Sequence, residues 1–154
     1  MNPLALDSQL CFSLYAASRA MTAAYAPLLA PLKVTYPQYL VLLVLWEADD
    51  LSVRAIGDRL ALDSGTLTPL LQKMERQGLV TRARDDQDNR VVRISLTASG
   101  RALKRKALNV PKELVCHFGL TLPAIAQLRS QLNGLTQTLR AATTGSNTET
   151  GETS

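Results

Sequence analysis

The chain has 154 residues, 46% hydrophobic and 19% charged, with a formal net charge of +4, which suits one well-packed core and leaves no room for a separate catalytic domain. Its longest apolar run, Tyr39 to Trp46, falls far short of the ~20 residues needed to span a bilayer. Two cysteines and a single histidine are too few for a disulfide framework or a closed zinc centre.

Asp7 or Ser8 can cap a first helix running to about Leu29, with Leu10, Leu14, Ala17, Met21, Ala24 and Leu28 along one side and Pro27 and Pro31 marking its end. A second helix follows from Pro37 through Glu47. Between Leu51 and Thr97 the pattern shortens. Val53, Ile56 and Leu60 give one apolar face, and Leu67, Leu70, Leu71 and Met74 give another. Ser52 can cap the first of these helices and Asp63 or Ser64 the second, with Ala61 and Leu62 as a tight connection. Gly78 ends the second helix, and the chain enters a hairpin of Val80 to Arg84, a polar tip from Asp85 to Asn89, and Val91 to Leu96. In the last run Val92, Ile94 and Leu96 alternate with Val91, Arg93 and Ser95, as one buried strand face requires. Two short helices followed by such a hairpin spell a winged helix-turn-helix.

The outward face of the second short helix carries Gly65, Pro69, Gln72 and Arg76, flanked by Ser64, Thr66, Thr68 and Lys73. Small residues let backbone approach a duplex, and the longer ones reach base edges or phosphates. Alone, that face could be merely solvated. The hairpin adds Arg82, Arg84, Arg90 and Arg93, and arginine at a wing suits a narrow minor groove. Double-stranded DNA is thus the expected partner. Pro69 removes a helix donor, so an irregular first turn is expected there.

Long helical patterns then run from Ala98 to Phe118, with a kink expected at Pro111, and from Pro123 to Ala142. The cluster Arg101, Lys104, Arg105 and Lys106 reads either as a phosphate contact or as a solvated face. In the last helix Ile125, Leu128, Leu132, Leu135 and Leu139 form a stripe that one small domain hardly covers, so a homodimer is expected. Its two-fold symmetry calls for a pseudo-palindromic operator. The expected fold is mainly α with a small β-hairpin wing. It forms a single domain over residues 1–142, with dimerisation helices at about 7–30 and 98–142, the winged helix-turn-helix at about 51–97, and a disordered polar tail at 143–154. No membrane association, metal, cofactor or catalytic residue is expected, and a cytoplasmic location is expected from the N-terminus, which shows no leader pattern.

Cys11 falls near the start of its helix, where free N–H groups and the positive dipole end favour an anionic sulfur. Tyr15 is one turn along. Tyr25 lies nearly on the same face but roughly 21 Å further down the axis, within reach only of another subunit's Cys11 if two first helices cross antiparallel. Tyr36 can join that pocket, and tyrosine hydroxyls donating to sulfur would stabilise it. Equally, the tyrosines can be plain interface aromatics and both cysteines small buried hydrophobes.

The stretches D-S-G-T-L-T-P-L-L at Asp63 to Leu71, G-L-V-T-R at Gly78 to Arg82, D-x-R at Asp88 to Arg90 and L-T at Leu96 and Thr97 resemble the MarR family of winged-helix repressors. Within it, L-C-F-x-L-Y at Leu10 to Tyr15, T-Y-P-Q-Y-L at Thr35 to Leu40 and V-L-W-E at Val44 to Glu47 resemble the organic hydroperoxide-sensing OhrR branch. That resemblance implies that Cys11 is peroxidatic, that Tyr25 and Tyr36 hydrogen-bond it across the dimer, and that Cys116 is the resolving cysteine of an intersubunit disulfide. It also implies that Asp88 orients Arg90 for the minor groove. An organic hydroperoxide would be the signal that releases the operator. Two other readings stay open: a repressor released by a bound phenolic or apolar ligand, and a thiol peroxidase.

Overall fold

The structure, a computed structural model, describes residues 2–145. The chain divides into two compact units, Met1–Leu114 and the remainder from Val115. In the first, α1 (Leu10–Leu29) leads through a 3₁₀ turn at Ala30–Leu32 into α2 (Tyr36–Glu47). Helix α2 is apolar nearly all round, and Tyr39, Val41, Leu42, Val44 and Leu45 are all buried, as befits the central helix of a core. Its start is fastened by a capping box in which the Thr35 hydroxyl accepts the Gln38 N–H and the Gln38 side chain accepts the Thr35 N–H.

A two-residue strand β1 (Leu51–Ser52) precedes α3 (Val53–Leu60) and α4 (Ser64–Arg76). Ser52 Oγ accepts the Ala55 N–H at 3.1 Å and Asp63 Oδ1 accepts the Thr66 N–H at 2.8 Å, so both helices start at side-chain caps. Gly57 permits their tight connection, since a Cβ there would lie 2.6 Å from the Leu62 carbonyl oxygen. Ile56, Leu67, Leu71 and Met74 bury the faces read from their spacing. Helix α4 ends in a Schellman motif: Gly78 has φ +72°, its N–H bonds Glu75 O, and the Leu79 N–H bonds Met74 O.

Strands β2 (Val80–Arg84) and β3 (Val92–Leu96) pair antiparallel from Val80↔Leu96 to Arg84↔Val92. Leu51 pairs with Ile94, so the sheet has three strands in the order β1-β3-β2 rather than the two of a simple hairpin. A strand of two residues carries no alternation to read. Helix α5 (Ala98–Ala107) is capped by Thr97, whose hydroxyl accepts the Gly100 N–H at 3.1 Å. A Cβ on Gly100 would collide with the Leu79 carbonyl oxygen, which fixes how closely α5 lies on the wing.

Several local expectations are corrected. Asp7 and Ser8 do not cap α1; they lie in a 3₁₀ turn, and Gln9 takes the cap position without a side-chain cap bond. Its amide instead donates back to the Pro3 and Ala5 carbonyls. Pro27 lies inside α1, which continues because Leu29 is buried in the core. Helix α4 runs unbroken through Pro69. Both Pro69 and Gly65 are exposed, so the carbonyl that loses its donor faces water, and Gly65 adds no side chain to the crowding. The helix expected from Ala98 to Phe118 is two helices, α5 and α6 (Val110–His117), with Pro111 second in α6. A proline disfavours helix at the residue before it but fits an N-terminal turn, where its N–H would be unpaired anyway.

The second unit is built on α7 (Leu122–Gly145), which extends three residues beyond Ala142. The Thr143 and Thr144 hydroxyls bond back to carbonyls of Leu139 and Arg140, keeping these polar residues satisfied within the helix. The rest of the tail lies outside the described residues. No single helix among those described is long and apolar enough to cross a membrane.

Candidate nucleic-acid interface and redox site

Helix α4 presents Ser64, Thr66, Pro69, Gln72, Lys73 and Arg76 to solvent, with Thr68 half-buried beside them. Its Leu67, Leu71 and Met74 face inward. The helix is thus held by one face and offers the other along its whole length. A cleft of about 710 Å³ separates its start from the wing, lined by Ser64, Thr68, Arg82 and Arg90 among others.

The four wing arginines are placed differently. Arg90 projects from the tip with 90% of its side chain exposed, and Asp88 grips it at two points, Nε to Oδ1 and Nη2 to Oδ2, each at 3.0 Å. The Arg90 N–H also donates to Asp88 Oδ1. These bonds hold the Asp88 carboxyl below its usual range and fix the direction of the guanidinium. Arg84 is exposed and donates to the Asn89 carbonyl across the tip at 3.0 Å. Arg82 folds back against Glu75 of α4 at 3.6 Å, and its buried Nε has no hydrogen-bond partner among the described residues. Arg93 is held by Asp50 at 2.9 Å and by Asp85 at 3.6 Å. Arg90 and Arg84 are thus exposed and held only within the tip, whereas Arg82 ties the wing to α4 and Arg93 ties it to the turn after α2.

That turn is not announced by the chain's pattern. Asp50 has φ +55°, and Asp49 Oδ1 accepts the Leu96 N–H at 2.8 Å while its Oδ2 pairs with Arg101 at 3.1 Å. The only signal was a pair of adjacent aspartates, which reads as an ordinary polar turn. In the basic cluster of α5, Arg101 is thus engaged, and Lys104 Nζ donates to the Trp46 carbonyl at 2.9 Å. Arg105 and Lys106 remain exposed without an ion pair among the described residues.

Cys11 is free and exposed in the first turn of α1, and Cys116 is free and exposed on α6. Tyr15 is exposed on α1, with Arg19 over its ring and within 3.3 Å of its hydroxyl. At the far end of α1, Tyr25 lies with Tyr36 and Tyr39 at ring-centroid distances of 4.7 and 5.6 Å, and Tyr39 meets Trp46 edge-on at 6.3 Å. Burial, with lesser contributions from Tyr36 and Tyr39, pushes the Tyr25 phenol up to about 12, and burial raises Tyr36 too. Both hydroxyls therefore keep their protons and remain hydrogen-bond donors. The structure brings Tyr25 and Tyr36 together as expected, but no group of three metal-ligating side chains occurs among the described residues.

Residues 23–107 match the family model described as transcriptional regulator SarA/Rot. The chain is 52% identical over 134 residues to an organic hydroperoxide resistance transcriptional regulator of Bacillus subtilis, covering 87% of this chain and 91% of that one. Among solved structures it is similar to reduced AbfR bound to DNA, at 34% identity and TM-score 0.78, covering 89% of this chain and 94% of that one. A disulfide form of AbfR matches at 35% identity and TM-score 0.63, covering 84% and 91%. AbfR has also been solved as the protein of Staphylococcus epidermidis. The fold is shared with MarR from E. coli, at 24% identity and TM-score 0.62, covering 82% and 96%.

Proposed function

This chain belongs to the SarA/Rot family of transcriptional regulators, with the winged-helix build of MarR, and from that premise we propose that it is a DNA-binding repressor that senses organic hydroperoxides through Cys11. The observation that carries this reading is the placement of an exposed thiol at one end of α1 and a pair of protonated tyrosines at the other. Within one chain neither completes a site. An antiparallel crossing of two α1 helices sets Tyr25 and Tyr36 of one subunit against Cys11 of the next. Much of α1 is open for such a contact, with Leu10, Phe12, Tyr15 and Met21 exposed, and α7 exposes Leu122, Leu128, Leu132 and Leu139.

The Cys11 thiolate attacks the peroxide, the O–O bond breaks, and the leaving alkoxide takes a proton from solvent to become the alcohol, leaving a sulfenic acid. The Cys116 thiol of the other subunit then attacks that sulfur, forming the S–S bond and expelling water. Both exposed thiols suit these roles. The homodimer inserts two α4 helices into successive major-groove faces of a pseudo-palindromic operator and Arg90 into the flanking minor groove, and the disulfide re-spaces them. Such a regulator works in the cytoplasm, with its DNA, and needs no metal or catalytic turnover.

The deciding experiment is a gel shift on a promoter fragment with cumene hydroperoxide, run beside a non-reducing gel. Wild type is expected to lose the shift and gain a dithiothreitol-reversible dimer band, Cys11→Ser to keep the shift, and Cys116→Ala to form sulfenic acid without the band. Release of Cys11→Ser by hydroperoxide would overturn the sensing role, and an intact dimer band in Cys116→Ala would overturn the resolving role.

A further inference from the structure

Among the described residues Gln38 is the only buried polar side chain, at 1% exposure, and nothing in the sensing chemistry above uses it. Its carboxamide joins two elements. Oε1 accepts the Thr35 N–H at 3.0 Å, and Nε2 donates to Gln77 Oε1 at 2.7 Å. The donors dictate this arrangement: the Thr35 N–H requires an oxygen opposite it, which leaves the amide nitrogen to face Gln77 and obliges Gln77 to offer its own oxygen. Gln77 is the C-cap of α4, with its N–H bonded to Lys73 O.

Tyr36 and Gln38 are the first and third residues of α2, locked with Thr35 into one turn by the capping box and by the fixed φ of Pro37. Whatever displaces Tyr36 therefore displaces Gln38. The apolar packing of Leu71 and Met74 in the core is non-directional, whereas the hydrogen bond from the buried Gln38 amide to the exposed Gln77 is directional, and the Gln38 end is costly to leave unpaired.

Building on the proposed sensing role, we propose that Gln38 and Gln77 are positioning residues that transmit displacement of Tyr36 at the redox site to the C-terminal end of the recognition helix. When oxidation of the partner's Cys11 withdraws the sulfur that Tyr36 faces, the α2 start moves, Gln38 draws Gln77 with it, and α4 tilts out of register with its half-site.

The test compares Gln77→Met, of similar length but without an acceptor, with Gln77→Glu, which still accepts from Gln38. Operator affinity is measured on the full chain before and after cumene hydroperoxide, with thiol titration confirming equal oxidation of Cys11. The ratio of oxidised to reduced Kd is the readout, because a merely structural role would change both affinities together. In Gln77→Met the ratio is expected to fall by roughly 2- to 30-fold, with reduced affinity near wild type, and in Gln77→Glu to stay near wild type. Should Gln77→Met fail to fold, Gln77→Ser, too short to reach Gln38, makes the same comparison. An unchanged ratio in the Met or Ser variant overturns the relay alone. A wild type that hydroperoxide does not release overturns the sensing role and the relay with it.

Discussion

Arg90 and Asp88 show how one carboxylate can set the direction of an otherwise free cation. With its side chain 90% exposed, Arg90 gains little stability from the pair, so the contact is better understood as aim. Arg90→Ala is expected to weaken operator binding several-fold and lower the salt-dependence slope by about one. Asp88→Ala should weaken binding less and leave that slope unchanged, as titration by fluorescence anisotropy at several salt concentrations would reveal. Tyr25 makes a pH prediction. Its folded pKa is raised from 10.0 to about 12, so the folded state binds more protons in that window and stability falls as pH rises through it. Urea melts should show a loss between those values that is smaller in Tyr25→Phe, the remainder coming from Tyr36 and Tyr39, which burial also raises. The motif resemblance pointed to Asp88 and Arg90, but the engagement of Arg82 with Glu75 and of Arg93 with Asp50 was invisible. Both pairs join residues whose proximity depends on tertiary placement.

Helix α4 depends on its ends as much as on its face. Its Thr66 N–H holds the Asp63 carboxyl below the usual range, so the cap's contribution is present above the unfolded value of 3.8 and is lost as pH falls through the depressed folded value. Asp63→Ala is expected to lower Tm by roughly 2–4 °C near neutral pH, with the difference shrinking in acid, measured by calorimetry. The boundaries of α3 and α4 were readable because cap, apolar spacing and glycine stop agreed. Those of α1, α5 and α6 were less so, because proline weighs differently by position. Pro27 is overridden by burial of Leu29 in the core, whereas Pro111 coincides with a real break nearby.

At the scale of the whole molecule, Leu128, Leu132 and Leu139 of α7 are exposed, with Leu128 at 46%. If these residues build the proposed dimer, Leu128→Lys combined with Leu132→Lys yields monomers in sedimentation experiments and abolishes high-affinity operator binding, since one recognition helix forfeits the second half-site. A double variant that stays dimeric would place the interface elsewhere. Gly100→Ala tests a different contact. Its new Cβ meets the Leu79 carbonyl, so α5 must lift from the wing, breaking the Trp46 Nε1 bond to the Gly100 carbonyl. A clear loss of Tm is expected, together with a changed emission from Trp46, the single tryptophan of the chain.

The winged helix-turn-helix and the outward face of α4 were legible in the chain because each rests on periodicity, capping and turn residues, whereas the pairing of Asp88 with Arg90 came only through the motif resemblance. The third strand, the Asp49 and Asp50 clamp on β3 and α5, and the Gln38 to Gln77 bond spanning 39 residues emerge only in the folded chain. These are a few polar contacts between distant segments. Their geometry exists only once the apolar core has brought those segments together, and a glutamine or an aspartate carries no mark in the chain of the partner it will find.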